Sequence, residues 1–145
     1  MAYRRIAVLA ALALPAVVQA APPAVVTDSS VFIERRDADN GRRLEMADSF
    51  DKGDRVVTVL RWQRRQGSGS FTITNPMPRA IAYQASSRSD ELVSVDGGRT
   101  WGHLGQLRIG DRLASPEDVT HVRWRIPTRI AAVGRGQIAY SGIVR

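Results

Sequence analysis

Residues 94–101 read Ser-Val-Asp-Gly-Gly-Arg-Thr-Trp, and the rest of the chain is read outward from this octapeptide. An Asp side chain caps its own backbone two residues on, and glycine takes positive φ without steric cost. Asp96-Gly97-Gly98 is therefore a turn signal between antiparallel strands. Residues 92–95 enter it and residues 99–104 leave it, which predicts a hairpin. Ser94, Asp96, Gly97, Gly98, Thr100 and Trp101 make up the motif, and its expected role is structural.

Upstream of the hairpin, Ile81 and Tyr83 continue a two-residue alternation, and residues 70–74 place Phe71 and Ile73 on one face. Between them Pro76 and Pro78 must leave the sheet, because proline cannot donate to a ladder. Residues 55–63 carry Val56, Val57, Val59 and Leu60 on both faces, which predicts a central strand covered on both sides. Residues 31–36 and 42–47 form a further hairpin around Asp37-Ala38-Asp39-Asn40-Gly41. Downstream, Ser115-Pro116-Glu117-Asp118 predicts a single helical turn with Ser at the N-cap and Pro at the first position. Residues 119–126 then alternate, with Val122, Trp124 and Ile126 on one face and His121, Arg123 and Arg125 on the other. Pro127 ends that strand, Gly134 and Gly136 shape a turn, and residues 137–144 form the last strand. Trp62, Phe71, Tyr83 and Trp124 lie on apolar alternations and are expected to anchor the core.

Short strands at turn-spaced intervals with no sustained helical period predict an all-β chain. The expected architecture is an antiparallel immunoglobulin-like β-sandwich of about seven to nine strands. The missing cysteine pair excludes the antibody variety. At 145 residues the chain holds one domain, expected over residues 30–145. Residues 21–29, with Pro22 and Pro23, are expected to be an extended, mobile lead.

Residues 1–20 have the three-part build of a secretory signal peptide: Arg4 and Arg5, an apolar run over residues 6–14, and small residues before Ala20. Cleavage is expected after Ala20, and the run is shorter than the roughly 20 residues that span a bilayer. The mature chain would then be exported, periplasmic or extracellular, without a transmembrane anchor. Cysteine is absent, which excludes disulfides, Cys-ligated zinc, a thiol nucleophile and a lipid-modified Cys. An exported domain without disulfides suits a bacterial compartment. The net charge of +7 is almost entirely arginine, with Lys52 the only lysine. Arginine forks suit carboxylate and phosphate, but export places nucleic acid out of reach.

The spacing of Ser94, Asp96, Gly98, Thr100 and Trp101 resembles the Asp-box, a hairpin of sialidase-type propellers and several unrelated secreted β-proteins. The resemblance implies a carboxylate bound to the turn backbone and an aromatic ring packed beneath it. A propeller would need copies at roughly 40 to 50 residues, and the chain has one. More broadly, K-G-D-R-V-V-T-V-L (52–60), T-I-T-N-P-M-P-R-A-I-A-Y (72–83), S-V-D-G-G-R-T-W and S-P-E-D-V-T-H-V-R-W (115–124) occur in an order followed by a glycine turn and a last strand. This succession resembles the conserved immunoglobulin-like repeat domain of unknown function found in bacterial exported and cell-surface proteins. The resemblance covers residues 30–145 and implies architecture and location, with no shared catalytic residues. Residues 61–70 depart from it, because R-W-Q-R-R-Q-G-S-G-S stands where relatives have an Asn-x-Gly turn.

No constellation predicts an enzyme. His103 and His121 lack the close spacing of a metal pair, and there is no G-x-S-x-G elbow or phosphate-cradling glycine loop before a helix. Asp90-Glu91 and Glu117-Asp118 are neighbours in sequence, so along a strand they would face opposite ways. The turn at 37–41 lacks the glycine and glutamate positions of a calcium loop. No catalytic residue, cofactor or metal is expected. The predicted function is a non-catalytic structural or interaction module of the cell envelope or periplasm, with a protein or envelope component as partner. The alternative is a binder of anionic ligands or glycans through His121, Arg123 and Arg125, assisted by Arg61, Arg64 or Arg65.

Overall fold

The computed structural model describes residues 24–38 and 41–145, so the expected signal peptide lies outside the described residues. In chain order the strands are β1 (Val25–Arg36), β2 (Arg42–Met46), β3 (Arg55–Arg64), β4 (Phe71–Pro76), β5 (Ile81–Ser86), β6 (Leu92–Ser94), β7 (Arg108–Ile109), β8 (Arg112–Leu113), β9 (His121–Ile126) and β10 (Arg135–Val144). Among the described residues helix is confined to one-turn pieces: 3₁₀ turns at Leu104–Gln106 and Pro116–Asp118, and α1 at Thr128–Ala131. The described residues are all-β, and every strand pairing among them is antiparallel. No helix among the described residues is long and apolar enough to cross a membrane.

The strands form a five-stranded sheet, ordered β2-β1-β3-β10-β5, and a three-stranded sheet, ordered β4-β9-β6. A small ribbon of β7 and β8 stands apart. The two larger sheets share one core, with Leu60, Trp62, Ile138 and Tyr140 from the first meeting Ile73, Val93, Val122, Trp124 and Ile126 from the second. The layout is sandwich-like. Two hydrogen bonds cross between the sheets where polar groups are buried. Asn75 Nδ2 donates to the Tyr140 hydroxyl at 2.8 Å, and Trp124 Nε1 donates to Ser86 Oγ at 2.9 Å. Leaving either donor unpaired in the core would cost free energy, so these bonds also fix how the layers meet.

The sheet begins earlier than the composition predicts. Val25 to Ser29 are not a mobile lead; they pair with Arg64 to Leu60 as the first half of β1. From Ala24 to Ser29 every residue has an amide to donate, and Val25 packs against the core cluster. β3 is central, but only one of its faces is buried. Val56, Thr58, Leu60 and Trp62 point into the core, while Val57 and Val59 stay half-buried because the second sheet covers one side only. Gly136 belongs to β10 and not to a turn. A Cβ there would lie 2.5 Å from Trp62 Cζ2, so the strand needs glycine for close approach to the indole. The one-turn α1 between Pro127 and Gly134 had no periodicity to announce it.

The turn at Pro116–Asp118 forms as its sequence predicts. Ser115 donates from its amide at 2.8 Å and from its hydroxyl at 2.9 Å to the Asp118 carboxylate, which Arg112 also engages at 2.6 and 2.8 Å. The Arg112 guanidinium, followed by these Ser115 bonds, holds the Asp118 carboxyl well below the usual carboxylate range. At residues 61–70, β3 continues to Arg64 before the chain turns. Arg64 Nη1 donates to the Gly67 carbonyl at 3.2 Å, its Nη2 donates to the Gly69 carbonyl, and its guanidinium lies 5.1 Å from the Phe71 ring centroid.

Candidate functional site

The outer face of the three-stranded sheet gathers most of the residues singled out in the sequence. β9 alternates, so Val122, Trp124 and Ile126 are buried inward while His121, Arg123 and Arg125 face outward. The register sets Thr74 and Leu92 beside Arg123, Thr72 beside Arg125 and Ser94 beside His121. Opposite residues of an antiparallel pair share a face, so these side chains form one surface.

The 94–101 turn folds back over that surface. Only Leu92 to Ser94 is strand, and the return arm is a single bridge from Val93 to Gly102 in place of the expected strand over residues 99–104. Side chains close the loop instead of a ladder. Asp96 Oδ1 accepts from the Arg99 amide at 3.0 Å, the Thr100 amide at 2.9 Å and the Ser94 hydroxyl at 2.8 Å. Asp96 Oδ2 accepts from the Thr100 hydroxyl at 2.7 Å. The Thr100 amide is the largest influence, followed by the Thr100 and Ser94 hydroxyls, and together they hold the Asp96 carboxyl far below its ordinary range. The Gly98 amide donates to Ser94 Oγ at 2.8 Å, which leaves Ser94 fully buried. Gly97 and Gly98 adopt φ of 80° and 87°, values that a side chain would disfavour.

Trp101 carries the turn onto the strand. Its Nε1 donates to the Gly98 carbonyl at 3.0 Å, and the Arg123 guanidinium carbon sits 3.6 Å from the indole ring centroid. His121 packs edge-on against the same indole, with ring centroids 6.3 Å apart. A cation over an indole face is favourable, the more so where water is excluded, so Trp101 fixes where Arg123 sits. Arg123 Nε donates to Thr74 Oγ1 at 3.3 Å, and Arg125 Nη2 reaches Ser70 Oγ at 3.5 Å. The terminal nitrogens of Arg123 take no part in these bonds and are donors that a carboxylate, phosphate or sulfate group accepts from readily.

Thr120 completes the assembly, and although it stands within the 115–124 stretch its sequence reading gave it no role. Its amide and hydroxyl donate to the Ser94 carbonyl at 2.8 and 3.1 Å, and its hydroxyl accepts from the Gly97 amide at 3.1 Å. The residue clips the turn to the start of β9. Its position immediately before His121 carried no chemistry by itself.

The assisting arginines do not converge here. Arg61 lies on the outer face of the other sheet, donating to Ser30 Oγ at 3.2 Å, and Arg64 is engaged with Phe71 and the glycine carbonyls of its own loop. Arg65 lines a separate hollow of about 360 Å³ with Gln66, Ser68 and Thr128. A wider hollow of about 670 Å³ lies over the five-stranded sheet between Val26, Asp28, Arg61, Val133, Arg135 and Gln137, and so is apart from the Trp101 surface. Among the described residues no three His, Asp or Glu side chains converge as metal ligands. No protein-family model matches the chain, and no curated protein or solved structure resembles it closely enough to count as a match.

Proposed function

We propose that this chain is an exported, non-catalytic interaction module of the cell envelope or periplasm, built as an immunoglobulin-like sandwich of the exported repeat-domain type. Its contact surface is the outer face of β9 with the turn at 94–101 laid across it. The observation that carries this reading is the Arg123 guanidinium held 3.6 Å over the Trp101 ring. Ordering a long arginine side chain before binding removes part of the entropy that association otherwise costs. A surface of cations and an aromatic ring is also of the composition that concentrates binding energy at interfaces.

The row of His121, Arg123 and Arg125 along one strand favours a second reading, in which the partner group is a small anionic ligand or an acidic glycan. The two readings separate by experiment. Crosslinking pull-down from the bacterial envelope is expected to capture a protein partner with the native chain and to lose it in an Arg123→Ala, Arg125→Ala double variant. Binding of a sulfated glycan that weakens steeply with salt and vanishes in the same variant would establish the second reading. Undiminished capture by the double variant would remove the β9 face from either account. Hydrolytic turnover abolished by His121→Ala would overturn the non-catalytic assignment.

A further inference from the structure

Among the described residues β2 is the outermost strand of the five-stranded sheet, with no strand on its far side, and that edge has a defined hydrogen-bonding pattern. The Asp37 amide donates to the Gly41 carbonyl, and the Arg65 amide donates to the Ala24 carbonyl. Hydrogen-bonded pairs alternate along an antiparallel ladder, so odd-numbered residues of β1 bond to β2 and even-numbered ones to β3. With Arg35 opposite Arg43 and Ile33 opposite Glu45, the backbone groups of Arg42, Leu44 and Met46 point away from β1, toward the open edge. Leu44 and Met46 are 46% and 81% exposed, large apolar side chains on a strand that is paired along one edge only. Arg43 and Glu45 share the opposite face and pair along the strand at 2.5 Å.

We propose that β2 pairs with β2 of a second copy of this chain, antiparallel about a two-fold axis through Leu44. In this register Leu44 faces the partner's Leu44, and Arg42 faces the partner's Met46. Each facing pair closes two backbone N–H···O bonds with groups that already point outward. Arg43 then lies opposite the partner's Glu45 on both sides of the axis, at the non-hydrogen-bonded positions where side chains approach most closely. An axis one residue earlier would oppose Arg43 to the partner's Arg43, and one residue later Glu45 to the partner's Glu45. The charge order Arg-Leu-Glu therefore selects the Leu44 register and no neighbouring one.

Charges on an edge strand ordinarily repel other strands. Here they are complementary to a copy of themselves. The two five-stranded sheets would merge into one continuous sheet, which is β-augmentation with an identical partner. An edge of five residues buries far less than the roughly 1,600 Å² of a standard stable complex, so the dimer forms only at high concentration. The inference does not depend on the reading of the β9 face, which belongs to the other sheet.

Sedimentation velocity on the purified protein from micromolar to millimolar concentration tests it. The native chain is expected to shift from monomer to dimer across that range. Arg43→Glu and Glu45→Arg should each weaken the dimer by about tenfold, because each sets like charges opposite one another at both pair positions. Mixing the two variants in equal amounts should restore a dimer, with carboxylates of one chain facing guanidiniums of the other. Unchanged thermal melts would show that the exposed substitutions leave the fold intact, and the double variant carrying both changes should dimerise like the native chain. A native protein that stays monomeric, variants that dimerise as well as it does, or a mixture that stays monomeric would each overturn the proposal.

Discussion

The seam between the two sheets and the turn at 94–101 are both well defined, but different forces hold them. In the seam, Trp124 is fully buried, its ring 5.9 Å from that of Tyr140 and its Nε1 bonded to Ser86. Its neighbours come from distant parts of the chain, and burial supplies the free energy. The turn is closed by side-chain oxygens of Ser94 and Asp96 on amides at most four residues away. Almost nothing there is apolar except Trp101. The seam holds the whole domain together, whereas the turn orders one patch of surface, so substitutions in the two should differ in size, in reach and in response to pH.

The largest expected effect is in the seam. Trp124→Ala removes a buried indole and leaves a cavity, and should destabilise the protein by about 3–5 kcal/mol in urea denaturation. A loss under about 1 kcal/mol would mean that the sheets close over the gap and that the seam is not what holds them. Gly142→Ala instead overfills the five-stranded sheet itself, where β10 pairs with β5. The added Cβ would overlap Ile81 Cγ2 and lie 2.6 Å from the Ala82 carbonyl oxygen, beside the bulge where β10 meets β5. Because a backbone carbonyl yields less easily than a side-chain tip, the cost should be about 1–3 kcal/mol, again measured by denaturation.

The same contrast governs what the sequence made readable. Alternation identified β9 within two residues of its start, because burying one face leaves a period of two in the residues themselves, and a run apolar on both faces identified β3 within one residue of its end. Ser115 and Asp118 announced their turn because capping chemistry is local. Pairing is not local. The apolar residues on both faces of β3 suggested cover on both sides, yet only the register and the small size of the second sheet decide that Val57 and Val59 stay half-buried. Val25 to Ser29 were obscured by the preceding prolines, although their own residues were competent to pair. At the site, His121, Arg123 and Arg125 were legible as one face. Trp101 stacking on Arg123 was not, because it depends on the turn folding over the strand, and neither was the clip by Thr120.

The smallest effect belongs to the turn, and pH is the means of isolating it. Asp96 has a folded-state pKa held below its unfolded value of about 3.9, by the Thr100 amide first and then by the Thr100 and Ser94 hydroxyls. A depressed carboxyl contributes stability that is present above the unfolded pKa and is lost as pH falls through the folded one. Asp96→Asn should therefore melt a few degrees below the native chain at about pH 7, and the two curves should converge on acidification below about pH 4. Both proteins will still lose stability in acid, because Asp118 is depressed in the same direction by Arg112 and Ser115. Hydrogen exchange supplies the spatial test. The Arg99 and Thr100 amides, which donate to Asp96, should exchange faster in the variant than global unfolding requires, while amides of β3 should slow or quicken only with overall stability. A gap between the melting curves that persists unchanged into acid would show that Asp96 acts through something other than its ionised carboxylate. Uniformly faster exchange across the sheets would show that the turn is part of the seam's own cooperative unit, which erases the distinction between the two regions.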